Sequence, residues 1–171
     1  RRSTEANPFP SVMGRVCPAP CQEGCNRNTL EDFVGINSVE QYIGDTAFTE
    51  GFKFEAAPEL NGKKVAIIGG GPAGMAAAYQ LRKAGVASTI FEKQNKLGGM
   101  MEYGIPGYRI PRDQLANEIQ RILDLGDIEV KYGVTVGKDL AVADVEKDFD
   151  AIIWALGCQT GRGLFLDKWN D

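Results

Sequence analysis

Residues 65–74, with the sequence Val-Ala-Ile-Ile-Gly-Gly-Gly-Pro-Ala-Gly, constrain the fold of this 171-residue chain more than any other stretch. An apolar run rich in β-branched residues meets a cluster of glycines, and small residues suited to a helix follow. This order predicts a strand, a tight turn and a helix N-terminus whose N–H groups bind a pyrophosphate. Gly69, Gly71 and Gly74 have the G-x-G-x-x-G spacing that such a turn needs. The motif alone also fits an ordinary glycine-rich turn.

The residues that follow complete a β-α-β unit. The sequence predicts a first strand over residues 64–68, a helix from 72 to about 84 and a second, parallel strand over 88–92. Glu92 ends the second strand eighteen positions after Gly74. A carboxylate there accepts hydrogen bonds from ribose hydroxyls and repels a 2′-phosphate, although it also fits a solvated strand end. The assembled unit predicts dinucleotide binding.

A second glycine pair, Gly98-Gly99, comes soon after Glu92 within a glycine-rich loop over residues 95–107. Long loops in compact domains are usually functional. A bare NAD-binding fold does not need this pair, whereas a flavin needs backbone close to its flat ring, and glycines permit that approach. An ordinary surface loop is the alternative for either pair taken alone.

The other predicted elements complete an α/β fold. They are a helix over 38–48 with Ser38 as N-cap and Gln41 three residues on, an amphipathic helix over 112–125, one or two short strands over 128–136, a helical turn over 142–147 and a buried strand over 151–156. Residues 1–10 are polar and contain prolines, so we expect no regular structure there. The fold class is thus a Rossmann-like parallel-sheet domain, incomplete, over residues 61–171. A small α-helical module with its linker precedes it over residues 1–60.

Cys17, Cys21 and Cys25 have the spacing C-x3-C-x3-C on a stretch that prolines and Gly24 keep from forming one continuous helix. Zinc prefers four ligands with C-x2-C pairs, and a redox dithiol is more often C-x-x-C. An iron–sulfur cluster takes thiolates from irregular loops, and its cysteines are often followed by proline. Three unliganded thiols are the remaining alternative. For Cys158 we expect a small buried hydrophobe rather than the fourth ligand.

Composition excludes several kinds of function. The chain has no histidine, which rules out histidine triads, histidine acid–base catalysis and histidine metal ligands within it. The net charge of −4 does not favour nucleic acid or an anionic membrane surface. No apolar run approaches the length of a membrane span, and we see no signal peptide. Clustered cysteines beside a nucleotide-binding pattern favour a reducing cytoplasm.

Taken together, these motifs resemble the small (β) subunit of NADPH-dependent glutamate synthase. They are equally similar to the N-terminal region of dihydropyrimidine dehydrogenase and to bifurcating transhydrogenase subunits. The resemblance extends from about Phe9 to Gly157, and the matching segments are Gly14-Arg15-Val16-Cys17-Pro18, Cys21, Gly24-Cys25-Asn26, Val39-Glu40-Gln41-Tyr42-Ile43, residues 63–74, Gly98-Gly99 and Tyr103-Gly104-Ile105-Pro106.

The resemblance implies a helical domain with two [4Fe-4S] clusters, followed by an FAD domain. It implies that Cys17, Cys21 and the side chain of Glu40 ligate one cluster and that Cys25 ligates the other. Further ligands would lie outside this chain. From the residues alone, Glu40 also fits an acid that the helix dipole favours in a first turn.

The resemblance also implies a set of FAD contacts. They are the pyrophosphate turn Gly69, Gly71, Pro72, Ala73 and Gly74, the ribose contact Glu92 with Lys93 beside it, Gly99 and Met100 beside the flavin, Arg109 near the cofactor, Val136 at the adenine, and Ala155 and Gly157 at the second phosphate-side strand end. A solvated side chain is the alternative for Arg109, and a core residue for Val136.

The function implied by the resemblance is an electron-transfer flavoprotein module. A pyridine nucleotide bound by a domain absent here would exchange a hydride with FAD, and FAD would exchange electrons with the clusters. We expect no catalytic side chain in this segment and, as partners, other subunits of an oxidoreductase complex. Two alternatives stay open: a non-catalytic FAD-binding or scaffolding subunit, and a flavin-dependent disulfide reductase that uses Cys17 and Cys21. The family's other cluster cysteines and its NAD(P)H domain are missing, so we expect a fragment.

Overall fold

The computed structural model describes residues 2–158, and within them four parallel strands form one sheet in the order β3-β2-β1-β4. The helices and strands in chain order are α1 (Pro10–Val16), α2 (Pro20–Glu23), α3 (Ile36–Thr49), β1 (Lys64–Ile68), α4 (Pro72–Lys83), β2 (Ala87–Glu92), α5 (Met100–Tyr103), α6 (Arg112–Leu123), β3 (Ile128–Tyr132), α7 (Val142–Asp148) and β4 (Ala151–Trp154). Short 3-10 helices cover Arg2–Glu5 and Asn26–Thr29. The prediction of an α/β fold with a Rossmann-like parallel sheet is confirmed.

Strand β1 lies inside the sheet and is buried from Val65 to Ile68. Its side chains alternate between two hydrophobic clusters because successive residues of a strand face opposite sides. Val65 and Ile67 belong to the cluster that packs with α4 and α6, whereas Ala66 and Ile68 belong to the cluster with Val145 of α7. Burial on both faces explains why β1 is a continuous apolar run rather than an alternating one.

Three predictions about local structure are wrong. The N-terminal segment is not irregular: a 3-10 helix forms at Arg2–Glu5, and α1 starts at Pro10, because proline suits the first turn of a helix. Helix α3 begins at Ile36, and its N-cap Gly35 lies three residues before the predicted N-cap Ser38. Strand β4 is only partly buried, since it pairs with β1 alone in the described part of the chain.

Helices α1 and α3 approach each other closely through two glycines. A Cβ on Gly14 would lie 2.5 Å from the backbone nitrogen of Gln41, and a Cβ on Gly44 would collide with the backbone of Ser11. The Arg15 guanidinium reinforces the contact with two hydrogen bonds of 2.8 Å to the carboxylate of Asp45. The two helices therefore form one rigid pair that carries Cys17 at the end of α1.

This helix pair also packs against the sheet region. Phe9 and Val12 are buried in the same hydrophobic cluster as Ile67, Leu115 and Ile122. Helix α1, which directly precedes Cys17, thus shares one hydrophobic cluster with β1 and α6. No helix within residues 2–158 is long and apolar enough to cross a membrane.

Candidate dinucleotide and iron–sulfur sites

A cavity of about 480 Å³ opens where β1, β2 and β4 end, at the carboxyl edge of the sheet. Parallel α/β sheets bind ligands at this edge. Eleven of the thirteen residues predicted to contact the cofactor line it: Gly69, Gly71, Pro72, Ala73, Glu92, Lys93, Gly99, Met100, Val136, Ala155 and Gly157. The fold therefore brings together residues spread over nearly ninety positions of sequence.

The two predicted residues that do not line the cavity are Gly74 and Arg109. Gly74 lies behind the turn, where a Cβ would collide with the carbonyl oxygen of Gly69, so its contribution is close packing of α4 on β1. Arg109 is exposed, and its backbone N–H donates to the carbonyl of Pro106 at 2.9 Å.

The glycine turn leaves the start of α4 open to a ligand. Gly69 adopts φ 109°, a conformation that favours glycine, and the backbone runs through Gly71 into Pro72 at the first turn of the helix. Gly71 is the N-cap, and no side chain caps this end of α4. The N–H groups of the first turn therefore suit an anion such as a pyrophosphate.

The second glycine pair folds directly onto the first turn. The N–H of Gly98 donates to the carbonyl oxygen of Gly70 at 2.8 Å. A Cβ on Gly99 would lie 2.8 Å from the Cα of Gly71. Gly99 also has φ 52° and ψ −126°, which other residues rarely adopt. Two glycine loops thus form adjoining walls of one cavity. Such walls allow backbone to lie close to a flat ring.

Glu92 is buried at 6% exposure and is not the solvated strand-end carboxylate of the alternative interpretation. Its Oε2 accepts a hydrogen bond from the N–H of Gly70 at 2.7 Å, and its Oε1 accepts one from the N–H of Gln94 at 2.8 Å. Each carboxylate oxygen has a second lone pair available for a hydroxyl donor. Glu92 therefore ties the end of β2 to the glycine turn while it lines the cavity.

Sequence reasoning missed several residues of the cavity. Tyr103, Thr135 and Cys158 also line it. The hydroxyl of Tyr103 donates to Oδ1 of Asn95 at 3.0 Å. Cys158 is exposed, so the expectation of a buried hydrophobe is wrong: the chain leaves the sheet after β4, and the cavity opens there. Its position directly after a strand end was the available signal.

Arg112 is a further residue that the sequence did not single out. Its Nη1 donates to the carbonyl of Met101 and its Nη2 to the carbonyl of Ile105, both at 2.7 Å. The guanidinium thus holds the segment around α5, for which the sequence predicts a loop with little secondary structure. Met100, at the start of α5, lines the cavity, so Arg112 supports this wall from behind.

The three clustered cysteines lie at different points of the helical segment. Cys17 follows α1, Cys21 is exposed within α2 and Cys25 precedes the 3-10 helix at Asn26–Thr29, so prolines do divide this stretch into short pieces. All are free thiols. The N–H of Ala19 donates to the sulfur of Cys17 at 3.4 Å. Amide hydrogen bonds to thiolate sulfur are among the contacts that tune iron–sulfur clusters.

Glu40 lies on α3, and its Oε1 accepts a hydrogen bond from the side-chain amide of Asn7 at 2.7 Å. Among residues 2–158, no three carboxylate or thiolate side chains converge to hold a single metal ion. Thiolates are the donors that iron–sulfur clusters take, but the described residues do not bring three such donors together.

Two family models match separate parts of this chain. The family described as "Dihydropyrimidine dehydrogenase domain II, 4Fe-4S cluster" matches residues 1–52, and the "NAD(P)-binding Rossmann-like domain" matches residues 67–113. The glutamate synthase [NADPH] small chain of Mycobacterium tuberculosis is 40% identical over 159 residues, which cover 92% of this chain. The small chain of Bacillus subtilis is 36% identical over 167 residues, which cover 97% of it.

The chain is similar to glutamate synthase small chains over nearly all of its length. It spans about a third of its small-chain relatives, 32% and 34% of their lengths. A solved structure of FprA from Mycobacterium tuberculosis in complex with NADPH has a TM-score of 0.56 and 22% identity, covering 61% of this chain and 24% of FprA. That likeness supports the fold. The similarity to small chains agrees with the resemblance carried by the cysteine and glycine motifs.

Proposed function

We propose that this chain is the electron-transfer module of an NAD(P)H-linked oxidoreductase, in which it holds FAD and contributes ligands to [4Fe-4S] clusters. The observation that carries the proposal is that the two glycine loops, at residues 69–71 and at Gly99, line one cavity. The N-terminus of α4, which no side chain caps, lines the same cavity. The family match of residues 1–52 supports the cluster part. The chemistry that FAD supplies when bound is exchange of a hydride with a nicotinamide and of single electrons with iron–sulfur centres.

The proposed task of the chain's own residues is to bind and orient. The N–H groups at the start of α4 bind the pyrophosphate, and the remaining lone pairs of Glu92 accept the ribose hydroxyls. Gly99 and Met100 lie against the flavin, and Val136 and Ala155 enclose the other side of the cavity. Cys17, Cys21 and the carboxylate of Glu40 would ligate one cluster, and Cys25 would ligate the other. We assign no acid or base catalyst to this segment.

Relatives named as subunits support a place in a larger complex. The formate dehydrogenase subunit beta of Moorella thermoacetica is described as NADP(+)-dependent and is 37% identical over 168 residues. We propose that other subunits or domains complete the clusters and bind NAD(P)H. We also propose a reducing compartment such as the cytoplasm, because free clustered thiols persist there.

An absorption spectrum with iron and labile-sulfide analysis tests this function on the full-length protein purified with its native complex. We expect flavin bands over a broad iron–sulfur shoulder, and bleaching of both by NAD(P)H. Replacing Cys17 and Cys21 by serine should lower iron content while flavin content stays the same. A preparation with full activity but without flavin or iron would overturn the proposal, and a flavin that stays oxidised during turnover would assign it a structural role instead.

A further inference from the structure

Helix α1 lacks a side-chain cap of its own. Its N-cap residue is Phe9, which has no side-chain acceptor for the N–H groups of the first turn. Such N–H groups have no partner within a helix and must find one elsewhere when they are buried. Ser11 is fully buried, as is Val12. The missing acceptor must therefore come from another element.

Glu118 supplies it from helix α6. Its Oε1 accepts a hydrogen bond from the N–H of Ser11 at 2.7 Å, and its Oε2 accepts one from the N–H of Val12 at 2.9 Å. Its side chain is completely buried, at 0% exposure. Burying a carboxylate costs free energy unless the carboxylate is well hydrogen-bonded. If Glu118 had no specific partner, an apolar residue would be expected at this buried position.

The contact joins the two parts of the molecule that carry different candidate cofactor sites. Helix α6 packs in the same hydrophobic cluster as Ile67 of β1, the strand whose carboxyl end lines the dinucleotide cavity. Helix α1 ends at Cys17, whose N–H closes the last turn on the carbonyl of Met13 at 2.9 Å. A shift of α1 therefore moves Cys17 together with α3 and Glu40, because the glycine contact makes α1 and α3 one unit.

We propose that Glu118 is a positioning residue: its carboxylate caps α1 from the dinucleotide-binding region and thereby fixes Cys17 relative to the cofactor cavity. The contact between Glu118 and α1 stands independently of the proposed function. Its consequence rests on that function: with FAD in the cavity and iron on Cys17, Glu118 sets the geometry across which electrons pass.

The charged surroundings of Glu118 give the contact a pH dependence. Burial raises the pKa of Glu118 to about 7, against the opposing effects of the two N–H bonds and of the positive charges of Arg121 and Arg15. Arg15 donates a hydrogen bond to Asp45 of α3, and Arg121 interacts electrostatically with Tyr79 of α4. Burial favours the protonated form of Glu118, and undocking of α1 would expose this side chain to water. Docking of α1 should therefore be tightest below neutral pH and weaken as pH rises through 7.

Hydrogen exchange with mass spectrometry on the full-length holoprotein tests the proposal. In Glu118→Ala, amides of residues 9–17 should exchange about tenfold faster or more, because two hydrogen bonds to a buried carboxyl group are lost. Amides of β1 and the flavin content should not change. Glu146→Ala is the matched control, since Glu146 is exposed on α7. Unchanged exchange in residues 9–17, or an equal rise in β1, would overturn the proposal.

Glu118→Gln keeps the test decisive if the alanine variant does not fold. After correction for intrinsic exchange rates, opening of residues 9–17 in the wild type should increase as pH rises from about 6 to about 8. Glu118→Gln should abolish this dependence, and the matched Glu146→Gln should retain it. An equal pH dependence in both variants would exclude Glu118 as its origin.

Electron transfer in the same preparations reports the functional consequence. The rate of electron transfer from reduced flavin to the clusters should fall in Glu118→Ala, because transfer is lost during the fraction of time in which α1 is undocked. Flavin and iron contents separate the two proposals. Absence of either cofactor contradicts the proposed function, while the exchange data still decide whether Glu118 holds α1. With both cofactors present, unchanged exchange contradicts only the inference about Glu118.

Discussion

The Cα of Gly71 lies only 2.8 Å from the position that a Cβ on Gly99 would occupy. Two glycines 28 positions apart therefore depend on each other, because the turn after β1 and the loop after β2 touch without side chains between them. The cavity wall that the two loops form therefore requires a residue without a Cβ at position 99, whereas a Cβ on Gly71 would make only an ordinary contact of 3.8 Å with Gly99. This contact leads to the first testable prediction.

Gly99→Ala should weaken FAD binding more than tenfold and lower the free energy of unfolding by about 1–3 kcal/mol. The added methyl group meets the backbone of Gly71, and the positive φ of 52° is strained for alanine. Equilibrium dialysis with FAD and urea denaturation measure the two effects. Gly107→Ala is the control in the same loop, since a Cβ there meets nothing within 4 Å. Equal behaviour of the two variants would contradict the importance of this contact.

Glu92→Gln should weaken FAD binding and reduce stability together. The amide nitrogen that replaces one carboxylate oxygen cannot accept the N–H of Gly70 or of Gln94. Leaving a buried donor without a partner costs about 1–3 kcal/mol. FAD titration and urea denaturation separate the effects, with the exposed Glu146→Gln as control. Lower stability with unchanged FAD affinity would restrict Glu92 to tying the strand to the turn.

Gly44→Ala should destabilise the protein by about 1–3 kcal/mol, although alanine is the better helix former by about 1 kcal/mol. A Cβ at this position collides with the backbone of Ser11, so α1 must move away from α3. Thermal or urea unfolding measures the loss, and iron content should fall as Cys17 and Glu40 separate. Gly107→Ala serves again as control. A stabilised Gly44→Ala variant would show that the two helices are not in tight contact.

Stability should fall as pH rises through neutrality because of Glu118. Its pKa is raised to about 7 in the folded protein, above the ordinary glutamate value of 4.5, so the folded state binds the proton more tightly. The stabilisation, about 3 kcal/mol in all, is complete below about pH 4.5, is lost progressively as pH rises from there through the folded pKa of about 7, and is absent at higher pH. Urea midpoints between pH 5 and pH 8 measure it. Glu118→Gln should flatten this profile, and a wild-type profile that rises over the same range would contradict the assignment.

Local patterns predicted the β-α-β unit well because its signals are short-ranged. The apolar run of β1, the proline at the start of α4 and the glycines between them each act over a few residues. The carboxyl ends of parallel strands share one edge, and the family resemblance was what placed distant candidates such as Ala155 and Gly157 beside Gly69. Patterns at the N-terminus were weaker, and α1 was missed because two prolines and a short apolar face resemble a loop.

Sequence alone determined the parallel α/β fold, the glycine turn, the acid at the end of β2 and the clustered thiols, because each depends on residue type and spacing. Only the tertiary structure decided that Arg112 supports the loop at Met100, that Cys158 opens into the cavity and that Glu118 caps α1. Those contacts join residues that are far apart in the sequence, and the local sequence around each residue does not indicate its partner. The local sequence of an amphipathic helix does not show whether a glutamate on it is exposed or buried. Only the packing of α6 on α1 buries Glu118 and provides the two N–H donors for its carboxylate.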